Sequence, residues 1–153
     1  MRALALLAFL VMAAPVQASG RLTCRADDEH VILTASGRVG PGRAGAITGF
    51  DAELALKEPG LPADLARAQF RGADLFDRWV MDGEVRLRLY RERESGPYGS
   101  IDVIMTASRE GAPPGEPNGT YAVDLASGEA EGLPEGVERL IEGPVLCALE
   151  SAP

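Results

Sequence analysis

From Glu84 to Thr106 apolar and polar side chains alternate with a period of two, and that pattern leaves few folds open. Successive side chains of an extended chain point to opposite faces. In EVRLRLYRER, Val85, Leu87 and Leu89 therefore share one face, while Arg86, Arg88 and Tyr90 share the other. Ile101, Val103 and Met105 line up in the same way within Ser100–Thr106. The intervening SGPYG carries the residues that turn a chain, and folding over Gly96 or Pro97 brings the two apolar sets together. One face is then buried and one solvated, as in an antiparallel meander. Upstream, Asp82-Gly83 has the composition of a tight hairpin turn between Leu75–Val80 and Glu84–Arg93.

Shorter period-two runs, separated by glycine and proline, extend the pattern over the chain. They are RLTCR with Leu22 and Cys24, His30–Ser36, Ala46–Leu56 with a bend at Gly49, and Thr120–Leu125. Val137–Ile141 and Val145–Leu149 read as two final strands, with Val145, Cys147 and Leu149 on one face. RADDE reads as a turn, and GRVGPGRAG, GAPPGEPNG and the acidic SGEAEGLPEG read as loops. Leu61–Gln69 (LPADLARAQ) is the one helical signal, a proline followed by good helix formers over one or two turns. The expected fold is mainly β. It is a single antiparallel β-sandwich or barrel of about eight short strands, with one short helix near 61–69.

The first eighteen residues stand apart. Arg2 supplies a positive start, Ala3 to Ala14 is an apolar run, and Pro15 breaks it. Val16-Gln17-Ala18 then offers the short residues of a cleavage site after Ala18. A membrane span needs roughly 20 apolar residues, more than this run supplies. A lipoprotein would use Cys24, but Arg21 just upstream does not suit the small, apolar context of such processing. Residues 1–18 therefore read as a bacterial signal peptide and 19–153 as one β-rich domain, periplasmic or secreted, with no membrane span.

In an oxidising compartment two cysteines and no third predict one disulfide. Cys24 and Cys147 lie 123 residues apart, near the two ends of the exported domain. Bridging them requires the terminal strands to be neighbours, with Cα atoms within about 7 Å. In the chain-entropy model such a closure contributes about 4–5 kcal/mol.

The formal net charge is −8, which disfavours nucleic acid, since phosphates call for clustered Lys and Arg. A basic protein or a small cationic ligand is the electrostatically permitted partner. Lys57 is the sole lysine, and arginine carries the rest of the positive charge.

Catalytic chemistry finds little purchase. His30 is the only histidine, preceded by Asp27, Asp28 and Glu29, a group without metal-ligand spacing. The carboxylate pairs Asp27/Asp28 and Glu129/Glu131 sit in polar, turn-like segments where burial cannot raise a pKa. GRVGPGRAG matches neither phosphate-binding glycine pattern, and Asn118-Gly119-Thr120 reads as a turn rather than a glycosylated site. No cofactor, metal or enzymatic activity is expected.

Trp79, the only tryptophan, is expected in the core or against the sheet edge, because tryptophan is highly buried on average. Its other reading is a contact residue beside Arg86, Arg88 and Tyr90, since Trp, Tyr and Arg are the composition of binding hot spots. Arg71–Trp79 (RGADLFDRW) resembles a segment of periplasmic polyisoprenoid-binding β-barrels. The match stops at those residues, and no residue role is carried over. The expected function is a non-enzymatic binding protein for a protein or small ligand. One form of it is an inhibitor of a basic enzyme acting through the acidic loop Gly128–Gly136. A lipid or isoprenoid carrier, which needs a hollow barrel, and a small hydrolase are the other classes.

Overall fold

The computed structural model describes residues 20–40, 46–81, 83–108, 113–128 and 136–151. The signal-peptide expectation, Asp82, and the Glu129/Glu131 pair with most of the acidic loop lie outside them. The chain runs β1 (Gly20–Asp27), β2 (Val31–Val39), β3 (Ile47–Leu56), α1 (Ala63–Ala66) and β4 (Arg67–Arg71). It continues through β5 (Leu75–Met81), β6 (Glu84–Glu92), β7 (Gly99–Ser108), β8 (Gly119–Ser127) and β9 (Val137–Ser151). All pairings are antiparallel, in the order β4-β3-β2-β1-β9-β8-β7-β6-β5.

That order makes β4 and β5 the two ends of the sheet, yet only the 3-10 turn Gly72–Asp74 separates them in sequence. So short a link holds the ends side by side, because each residue spans at most about 3.6 Å. The sheet must curl round into a nearly closed barrel. Beyond the start of β5, Arg91 Nη1 of β6 donates to the Gln69 carbonyl at 2.7 Å, so a side chain links β6 to β4 across the seam there.

The inward positions are those that alternation selects. Leu22, Leu33, Phe70, Leu87, Leu89, Ile101, Met105, Tyr121 and Leu125 are at most 1% exposed and belong to one core. These side chains fill the interior against one another, as close packing requires. The β6 and β7 pattern is as expected: Leu87 pairs with Met105 and Leu89 with Val103, facing inward. Met81 pairs with Glu84 around Gly83, whose φ of 84° suits a glycine in a tight turn.

Cys24 and Cys147 lie directly opposite each other on β1 and β9, inside the barrel, at disulfide distance. Their Cα atoms are 4.0 Å apart. The reason is visible in the main chain. Cys147 N–H donates to Asn118 Oδ1 and its carbonyl accepts from Asn118 Nδ2, both at 2.8 Å. Both polar groups of Cys147 therefore point away from β1, which makes the cysteines a non-hydrogen-bonded pair, the closer of the two antiparallel spacings.

Several local expectations change, RADDE among them, since Arg25–Asp27 complete β1 and only Asp28–His30 bend the chain. The one short helix lies within Leu61–Gln69 as expected but is a single turn: α1 covers Ala63–Ala66, and Arg67 is already extended with φ −135°. Residues 67–71 form β4 because Ala68 and Phe70 alternate into the core, and burial overrides helix propensity. The two final strands are one continuous β9, passing through Gly143-Pro144. Pro144 keeps its place opposite Thr120 of β8, while pairing with β1 has already stopped at Leu146, so on the β1 side no N–H is required of it. Asn118-Gly119-Thr120 is not a turn: Asn118 leads directly into β8, which begins at Gly119. A Cβ on Gly119 would meet the Thr106 carbonyl at 2.0 Å, so only glycine fits that approach. Finally, Gly37–Val39 of GRVGPGRAG are not loop but complete β2 around a bulge, and its residues 41–45 lie outside the described ones.

Candidate functional site

The outer face of β5, β6 and β7 gathers the residues singled out above. Trp79 pairs with Arg86, and Arg86 with Thr106; Asp77 pairs with Arg88, and Arg88 with Ile104; Tyr90 pairs with Asp102. Directly opposed residues share a face, so Trp79, Arg86, Arg88 and Tyr90 all project outward, opposite Leu87 and Leu89. Trp79 is thus not a core residue. It is 46% exposed, because β5 ends the sheet and its outer face has no covering layer.

Two features escape the sequence pattern. The register slips between Leu75 and Asp77, a bulge that throws Phe76 outward, where it is 68% exposed. Arg88 Cζ then lies 5.0 Å above the Phe76 ring, and the Tyr90 ring meets Phe76 edge-on, with centroids 6.3 Å apart. Arg88 is held by Asp102 through Nε at 3.1 and 3.0 Å and Nη2 at 2.5 Å. That charged fork fixes the guanidinium over the ring. Arg86, by contrast, is exposed beside Trp79 and forms no ion pair among the described residues. Period two alone would put Phe76 on the face of the buried Val80, which hides its exposure.

Tyr90 also reaches the seam. Its hydroxyl donates to Glu92 Oε1 at 2.5 Å, and this bond, with desolvation, pushes the phenol up to about 12. Beside it runs a groove of about 710 Å³ lined by Gln69, Arg71, Asp74, Tyr90, Glu92 and Glu94, among others.

At the β1–β2 turn the acidic run serves structure. Asp28 Oδ1 accepts from the His30 and Val31 amides at 2.8 and 2.9 Å. Its Oδ2 accepts from the buried Tyr121 hydroxyl at 2.6 Å, in space left open by Gly143. Burial alone would raise the Asp28 carboxyl, but the bonds from Tyr121, Val31 and His30 together hold it below the usual carboxylate range. The same bond and burial raise Tyr121. His30 Nδ1 lies 2.7 Å from Glu58 Oε1, which raises its imidazole above the ordinary value. Lys57 is hydrogen-bonded to Asp27. Histidine and carboxylates here join turn to strand end, and Asp27 and Asp28 also line a surface pocket of about 460 Å³ with Arg25, Ile32 and Pro144.

Among the described residues no three His, Cys, Asp or Glu side chains gather to hold a metal. Nor is any described helix long and apolar enough to cross a membrane. Comparison with known proteins gives no matching family model, curated protein or solved structure.

Proposed function

We propose that the protein is an exported, non-enzymatic binding protein that docks a partner polypeptide on the outer face of β5–β7. One observation carries this reading. Phe76 and Trp79 stand exposed on a face that also presents Arg86, Arg88 and Tyr90. Hot spots are enriched in aromatic residues and arginine, because large rigid groups gain much from desolvation. Arg88, already fixed by Asp102 and stacked on Phe76, is pre-organised, which lowers the ordering cost of binding. The filled interior supports surface recognition over lipid or isoprenoid carriage, since Leu87, Leu89, Val103 and Met105 have no accessible surface for an internal ligand to cover.

Site-specific photocrosslinking in the exporting cell tests the proposal. A crosslinker at position 76, 79 or 86 is expected to yield one shared adduct, whereas one at Thr23 or Arg38, on β1 and β2, yields none. Adducts equally abundant from both sets, or absent from 76, 79 and 86, would overturn it.

A further inference from the structure

We infer that the seam groove beside Tyr90 receives an organic cation, the ammonium or guanidinium of a lysine or arginine on a basic polypeptide. This names the partner chemistry of the docking face and rests on that reading.

The groove's own cations are already engaged. Arg71 is paired with Asp51, and Arg91 bonds the Gln69 carbonyl and Glu94. Glu92 is different: its one bond among the described residues comes from the neutral Tyr90 hydroxyl. A carboxylate without a counter-cation therefore faces a groove of about 710 Å³ with an aromatic ring on its wall. Asp74, in the same lining, has its carboxylate on the Arg71 amide.

The aromatic side points to the same chemistry. Phe76 carries the Arg88 guanidinium over its ring at 5.0 Å, so this cluster already holds one organic cation. Tyr90 lines the groove and meets Phe76, which lies outside the lining, at 64°. The Tyr90 ring beside the Glu92 carboxylate offers an ammonium or guanidinium a cation–π face and a counter-charge at one place. A formal charge of −8 draws basic polypeptides toward the protein, and the groove would give that attraction a place.

Titration of the ¹⁵N-labelled protein with tetralysine at low salt, followed by amide shifts, tests the inference. Shifts are expected to concentrate at Ala73, Asp74 and Tyr90–Glu94. Glu92→Gln and Tyr90→Ala should each weaken binding at least about fivefold, while Tyr90→Phe, which keeps the ring, stays within about twofold. Side-chain-acetylated tetralysine should give no shifts. Shifts scattered over the acidic surface, no saturable binding, or insensitivity to both Glu92→Gln and Tyr90→Ala would overturn it. If crosslinks from position 79 persist while tetralysine ignores the groove, the docking face stands and the cation site falls. Loss of both removes both.

Discussion

His30 is the only histidine, so its titration can be followed without assignment ambiguity. Its bond to Glu58 raises the folded-state pKa above 6.5. The contact therefore stabilises the fold below that value and is lost as pH rises through the folded pKa. NMR of the imidazole should give a pKa above 6.5, falling back toward it in Glu58→Gln; an equal or lower pKa in the intact protein would contradict the contact. Asp28 has the opposite sign. Its folded pKa is lowered from 3.8, so its contribution is present above that pH and fades as pH falls through the folded value. Asp28→Asn should accordingly lower the melting temperature at neutral pH and narrow the gap at pH 3. A gap that widens on acidification would refute the carboxylate's role. The sequence marks RADDE as a turn, but Arg25–Asp27 still pair as part of β1 and only Asp28–His30 bend the chain. What it hides is that Asp28 reaches Tyr121, 93 positions away, through space that only a glycine at 143 leaves free. Tertiary proximity of that kind has no local signature.

Among elements, the terminal strands are the ones most tightly specified. Two cysteines in an exported chain predict that β1 and β9 are neighbours, and they pair with Cys24 opposite Cys147. Non-reducing peptide mapping should recover that linkage; two freely alkylated thiols would exclude it. Asn118 closes the neighbouring edge, its amide standing in for a strand residue by bonding both polar groups of Cys147. Asn118→Ala should then cost roughly 1–3 kcal/mol, the penalty of leaving half-buried backbone groups unpaired, read as a lower urea midpoint. An unchanged midpoint would mean water replaces the amide freely. The β6–β7 hairpin was legible because its alternation is long and unbroken. β4 was not, since five residues of RAQFR carry both a helix-forming composition and a period-two pattern. Only the requirement to bury Phe70 in the barrel decides between them.

At the scale of the molecule, a three-residue link between the first and last strands of the sheet order forces closure, and the core fills what is enclosed. Alternation in the sequence implied a two-faced sheet but did not distinguish sandwich from barrel, because closure depends on strand order. The outward placement of Arg86, Arg88 and Tyr90 was legible from period alone. The exposure of Trp79 and Phe76 was not, because it follows from β5 being an edge and from a bulge. Mass spectrometry of the exported protein should give an N-terminus at Ser19, and an intact Met1 in a membrane fraction would contradict cleavage. The division of labour between a packed interior and a functional outer face is tested most directly by urea midpoints of two variants, each also assayed for crosslinking from position 86. Leu87→Ala should lose roughly 2–5 kcal/mol, from lost transfer energy and a residual cavity. The double variant Phe76→Ala/Trp79→Ala should stay within about 0.5 kcal/mol of the parent, as surface changes usually do, while its partner adduct disappears. If instead the aromatic double variant unfolds like Leu87→Ala, or keeps its adduct undiminished, Phe76 and Trp79 belong to the scaffold and the docking face is not there.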